Sequence, residues 1–114
     1  MKEWEKFEEY ICSRIHSIDK YAKRTPGSGN KGRKGDITGN FGLHIECKAH
    51  NKKNVYNEND FQKCKEEIPL HSENIPILFT KNKDGKMRVH LDADDFLDIY
   101  IEFFQLTNGG EWNL

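Results

Sequence analysis

The stretch KGDITGNFGLHIECKAH, residues 34–50, decides the fold. Its second half alternates: Leu43, Ile45, Cys47 and Ala49 face one way and His44, Glu46 and Lys48 the other, as the two-residue period of a strand requires. Thr38–Gly39–Asn40 reads as a turn, so residues 36–38 and 43–48 are expected to pair as neighbouring strands. That pairing puts Asp36 beside Glu46, with Lys48 on the same face. Two carboxylates held together repel unless a cation sits between them. Oxygen ligands of this kind suit Mg²⁺, which keeps several waters and binds through one or two carboxylates plus a substrate phosphate. A lysine alongside can stabilise charge developing on a phosphate or orient a water. These parts make a site for metal-assisted hydrolysis of a phosphodiester.

Upstream, residues 25–42 hold six of the nine glycines together with Pro26, Lys31, Arg33 and Lys34, and read as a flexible loop running into the strand pair. Residues 2–20 read as a helix, with Trp4, Phe7, Ile11, Ile15 and Ile18 on one stripe. On the helical wheel Glu8 is the acid nearest that stripe, about 60° from its middle at ~100° per residue. Downstream, residues 57–67 read as a helix capped by Asn57 or Asn59 and ended by Pro69. Residues 75–80 form a buried strand, 82–85 a hairpin turn, 86–91 the returning strand, and Asp92 caps a last helix over 93–106. The expected fold class is α/β, a mixed central sheet flanked by helices.

The chain has 114 residues, enough for one domain over 1–114. Its net charge of −1 hides an uneven distribution. Residues 20–53 carry nine Lys/Arg against two acids, whereas the remainder carries nine against seventeen. A basic middle in an acidic frame is an electrostatic footprint for a polyanion. Cys12, Cys47 and Cys64 are too few and too widely spaced for a disulfide framework and read as reduced thiols, which implies a cytoplasmic location. No apolar run approaches the ~20 residues that span a bilayer. The acidic, amphipathic N-terminus does not resemble a signal peptide, so no membrane partner is expected.

The segment KRTPGSGNKGRKGDITGNFGLHIECKAH resembles the core of the PD-(D/E)XK nuclease superfamily, and within it the small archaeal and phage Holliday junction resolvases. Their pattern is a helix carrying a Glu, an Arg on the next strand, a Ser–Gly loop, an Asp, then Glu-x-Lys. The resemblance implies a restriction-endonuclease-like core and an Mg²⁺-dependent endodeoxyribonuclease, with Mn²⁺ able to substitute. It makes Glu8, Asp36, Glu46 and Lys48 the catalytic set. Asp36, Glu46, the Cys47 carbonyl and Glu8 would be the metal ligands. Arg24 and Ser28 would contact phosphate, joined by the basic residues Lys31, Arg33, Lys34, Lys52 and Lys53. Gln62 matches a glutamine of the second helix in related nucleases, and His44 shares the face of Glu46. The implied substrate is branched DNA, a four-way junction of recombination and repair.

Two rivals fit less well. His44, Cys47, His50, Cys64 and His71 match no compact zinc spacing, and GSGNKGRKG lacks the terminal Gly-Lys-Ser/Thr of a P-loop. A non-catalytic nucleic-acid-binding module explains the basic loop but leaves acids 36 and 46 inside it unexplained. A nuclease of the same superfamily acting on nicked, flap or duplex DNA is a further alternative. Finally, Phe96, Leu97, Ile99, Tyr100, Ile101, Phe103 and Phe104 spread over about 200° of the last helix, where one core needs a stripe of only ~100°. Either the body of the domain surrounds that helix or a second subunit covers it. The second option gives a homodimer with Phe103 and Phe104 as anchors.

Overall fold

A computed structural model describes residues 1–26 and 35–108. The elements run α1 (Glu3–Ile15), β1 (Lys23–Arg24), β2 (Ile37–Thr38), β3 (Leu43–Ala49), α2 (Glu58–Glu66), β4 (Ile75–Lys81), β5 (Met87–His90) and α3 (Ala93–Thr107). The five strands form one mixed sheet in the order β1-β2-β3-β4-β5. The first three strands are antiparallel neighbours, with Ile37 opposite Ile45. A crossover through α2 then makes β4 parallel to β3, with Ile45 beside Ile77 and Glu46 beside Leu78, and β5 returns antiparallel. The α/β class with a mixed sheet and flanking helices is as the sequence implies.

The alternation in β3 sorts its side chains onto the two faces. Ile45 and Cys47 join Phe7, Ile11, Cys12, Ala22 and Ile37 in the core beneath α1, with Leu43, Ala49 and Phe79 packed at its edge. On the other face α2 lowers Phe61 and Cys64 toward the sheet, where Cys64 Sγ lies 3.6 Å from the His44 carbonyl. Because both faces are covered, His44 and Glu46 are buried as well. Burial pushes the Cys64 thiol up to about 12, with the charge on Glu46 adding to the shift.

One boundary and one packing option differ from the sequence reading. The first helix stops at Ile15 rather than continuing to residue 20, and Ile18 is exposed. The reason is Asp19, whose carboxylate accepts the backbone N–H of Asn40 at 2.7 Å and of Tyr21 at 3.0 Å, while its carbonyl accepts that of Ala22. Those amide bonds, Asn40 first, hold its carboxyl below the usual range. They also tie the chain after α1 to the β2–β3 turn, so a continued helix would forfeit them. The last helix takes no part in the core: α3 has no buried residue. The option that the domain surrounds it is therefore incorrect for the described residues. Of the two caps the sequence offers for α2, Asn57 is the one used, its side chain accepting Asn59 N–H at 2.7 Å. Among the described residues no helix is long and apolar enough to cross a membrane.

Candidate functional site

The site begins with the way β2 leaves β3. Ile37 pairs with Ile45, and Asp36 N–H still donates to the Ile45 carbonyl at 2.8 Å. One step further along β3 the partner strand has turned away, and the Asp36 side chain takes its place: Oδ2 accepts the Cys47 N–H at 2.6 Å. In an extended strand the N–H and C=O of one residue point to the same side. The Cys47 carbonyl is therefore directed to the side where Asp36 lies. The Asp36 carbonyl in turn accepts Thr25 N–H at 2.9 Å, so this residue is held by backbone groups on three counts, one of them at its carboxylate.

Gly35 makes the turn possible. Its φ is +71°, and a Cβ there would stand 2.8 Å from the Ile45 carbonyl oxygen and 3.3 Å from the His44 ring. Only glycine combines that backbone conformation with so close an approach.

A cleft of about 440 Å³ opens over this turn. Glu8, Asp36, Glu46, Cys47 and Lys48 line it, with Trp4 and His50 at its margins. Glu8 reaches it from α1 and is paired with Arg24, whose Nε and Nη2 both lie 3.1 Å from Glu8 Oε1. Arg24, expected on phosphate, is thus engaged in holding Glu8, with Glu5 4.0 Å away. The opposite wall comes from α2 through Asp60, Lys63, Cys64 and Glu67. These were missed in the sequence, although their spacing of three and four residues puts them on one helical face. Gln62 falls on another face, donates to Glu58 at 2.7 Å and does not line the cleft. Two residues from Asp60 is nearly opposite on a helix, which is why the cleft and Gln62 lie on different faces of α2.

His44 is buried behind the cleft rather than in its lining. Its Nε2 lies 3.4 Å from Glu67 Oε1 and 3.9 Å from Glu46 Oε1. His44, Glu46 and Glu67 bring one ligand atom each within 4.8 Å of one another, the one such group of three among the described residues. Glu8, Asp36 and Glu46 share the cleft but do not converge that closely as a set. Glu46 thus belongs to two groupings, one with Asp36 and the Cys47 backbone and one with His44 and Glu67. The first offers oxygen donors alone and suits Mg²⁺. The second adds an imidazole, which favours a transition metal.

Lys52 and Lys53 are exposed in the loop after β3, where their carbonyls accept Lys83 N–H and Asn82 Nδ2–H. Past Ala49 and His50 the surface continues into a second depression of about 590 Å³ that includes Lys81 and Lys83. Ser28, Lys31, Arg33 and Lys34 lie outside the described residues. Comparison with protein-family models, with curated proteins and with solved structures finds no match to this chain.

Proposed function

We propose that the chain is a divalent-metal-dependent endodeoxyribonuclease with a restriction-endonuclease-like core, of the PD-(D/E)XK kind. The observation that carries this reading is that Glu8, Asp36, Glu46 and Lys48 all line one cleft. Within it the Asp36 carboxylate stands where a β-ladder partner belongs. Three buried carboxylates, Glu8, Asp36 and Glu46, line this one open cleft with Lys48 beside them, the combination of charges that a cation and a phosphate would both require. The element order supports the same reading: a helix bearing Glu8, three antiparallel strands with Arg24 on the first, Asp36 just before the second and Glu46-x-Lys48 on the third, then a helical crossover to a parallel strand.

Asp36, Glu46 and the Cys47 carbonyl would hold Mg²⁺, and their all-oxygen chemistry fits that ion. Such an ion would supply polarisation of the scissile phosphodiester and a lower pKa for water at the site. Lys48 donates hydrogen bonds toward the attacking water or the phosphoryl oxygens and offsets their growing negative charge. The water oxygen bonds to phosphorus as the bond to the 3′-oxygen breaks, leaving a 5′-phosphate and a 3′-hydroxyl. Arg24 fixes Glu8 at the margin of the cleft. Exposed Lys52, Lys53 and Lys83 sit at the end of β3 on the route a phosphate backbone would take across the depression beside the cleft. The substrate is branched DNA, a four-way junction.

Cleavage of end-labelled four-way junction, flap, nicked and plain duplex DNA, with Mg²⁺ or Mn²⁺ and with chelator, tests the reading. Metal-dependent incision with strongest activity on the junction is the expected result. Binding of all four without incision in either metal would replace the enzyme by a non-catalytic nucleic-acid-binding module.

A further inference from the structure

The last helix and the groove between α1 and β5 belong together, although one chain cannot join them. α3 is 15 residues long, about 22 Å at helical rise, and every large apolar residue along it is exposed. Phe96, Ile99 and Phe103 form one stripe and Leu97 and Ile101 a second. Its charges are Asp94, Asp95, Asp98 and Glu102, four acids without a base. On the α1 face of the sheet lies a groove of about 340 Å³ with a mainly apolar lining that includes Tyr10, Ile15, Phe79, Met87 and Val89. The charges that line it are Arg14 and Arg88. An acidic, apolar helix and an apolar groove set with arginines are complementary in both chemistry and sign.

The groove is on the wrong side for the helix of its own chain. Asp92, the N-cap of α3, is bound to Lys65 of α2 at 2.8 Å, and α2 covers the opposite face of the sheet from α1. The helix therefore starts from the α2 side, and no residue along its length is buried against the body. The apolar area at stake is large. Eight side chains of α3 are 38–76% exposed. At ~100 Å² each, half of what a large side chain presents, they expose roughly 800 Å², the amount a partner contributes to a standard stable interface.

We infer that α3 of a second copy of this chain occupies the α1–β5 groove, and that the exchange is reciprocal, giving a twofold dimer with two equivalent helix-in-groove contacts. The inference does not depend on the nuclease reading.

Sedimentation equilibrium of the full chain tests it. The expected mass is near twice 13.4 kDa at micromolar concentration. Val89→Glu in the groove and Phe103→Glu on the helix should each give 13.4 kDa species, and an equimolar mixture of the two should associate again. One variant then supplies an intact helix and the other an intact groove. The mixture should dimerise at least tenfold more weakly than the parent, because one contact of two is restored. Both positions are half-exposed, and a cooperative melt checks that each variant folds. Met87→Glu and Ile99→Glu replace any variant that does not. A parent mass of 13.4 kDa up to tens of micromolar overturns the inference. So does a dimer that survives Val89→Glu, or a mixture that stays monomeric, which would mean pairing of α3 with α3 or a partner of another kind.

Discussion

Replacing Gly35 by alanine isolates what the turn before Asp36 contributes. The residue has φ +71°, and the left-handed conformation costs a side chain with a Cβ about 1–2 kcal/mol. The new methyl would also stand 2.8 Å from the Ile45 carbonyl oxygen, which is held in the sheet, and 3.3 Å from the His44 ring. Relieving that contact moves β3 or the turn by several tenths of an ångström, at a further cost of about 1 kcal/mol. The sum, about 2–3 kcal/mol, corresponds to a fall in Tm on the order of 10 °C for a domain of this size. Gly42 and Gly85 supply the controls. Their φ values are +82° and +80°, and nothing lies within 4 Å of a Cβ at either position. Alanine there carries only the backbone cost, so Gly35→Ala should melt roughly 5 °C below Gly85→Ala. Because the displaced atoms carry Asp36 and face Cys47, Mn²⁺ affinity by titration calorimetry should also drop at least ~10-fold in Gly35→Ala and not in the controls. Equal melting temperatures for Gly35→Ala and Gly85→Ala, with unchanged metal affinity, would refute the view that this turn sets the carboxylate.

Asp36→Asn and Glu46→Gln should each abolish DNA cleavage while binding persists or tightens, since less negative charge then faces the phosphates; full activity in either removes this cleft from consideration. Lys48→Ala should abolish cleavage yet retain Mn²⁺ binding by calorimetry, which separates its role from that of a ligand. Neutralising Lys31, Arg33 and Lys34 together should lower the slope of log affinity against log salt by roughly one per lost phosphate contact, and an unchanged slope would mean that the loop points away from DNA. The Cys64 thiol is raised to about 12 by burial and then by the Glu46 charge. Its folded state keeps a proton that the unfolded chain releases, so its stabilising effect is full below about pH 9 and is lost as pH rises toward 12. Denaturant titrations of Cys64→Ser should lack that alkaline loss, and an identical pH profile for the parent would contradict it.

The features legible in the sequence were those set by a local period. The alternation of Leu43–Ala49 placed Glu46 and Lys48 on one face, and the turn at 38–40 brought Asp36 to the strand that carries them. The wheel singled out Glu8 as the acid nearest the core, and it is buried. The apolar arc of the last helix likewise announced a surface too wide for one core. The misses came from choices that no period contains. Two backbone N–H groups donating to the Asp19 carboxylate outweighed the apolar spacing of Ile18 and ended α1 early. The pairing of Arg24 with Glu8 joins residues 16 apart in the chain, a contact that no local period announces. Glu67 and Lys63 were overlooked because a charged helical stripe looks the same in sequence whether it meets solvent or the wall of a cleft.

The hydrogen bond from Cys47 to Asp36 turns one backbone proton into a gauge of the whole cleft. An amide that donates to a charged carboxylate resonates well downfield, and its frequency follows the charge it meets. Protonating Asp36, or drawing its oxygen toward a cation, weakens the donor's hold and moves that single cross-peak upfield. The amide of Asn108, which donates to the Phe104 carbonyl at the far end of α3, is remote from the Asp36 and Glu46 carboxylates and serves as an internal reference. The ionisation of the carboxylate and its occupancy by a metal can therefore be followed at equilibrium, without substrate and without turnover, from the position of one peak relative to another.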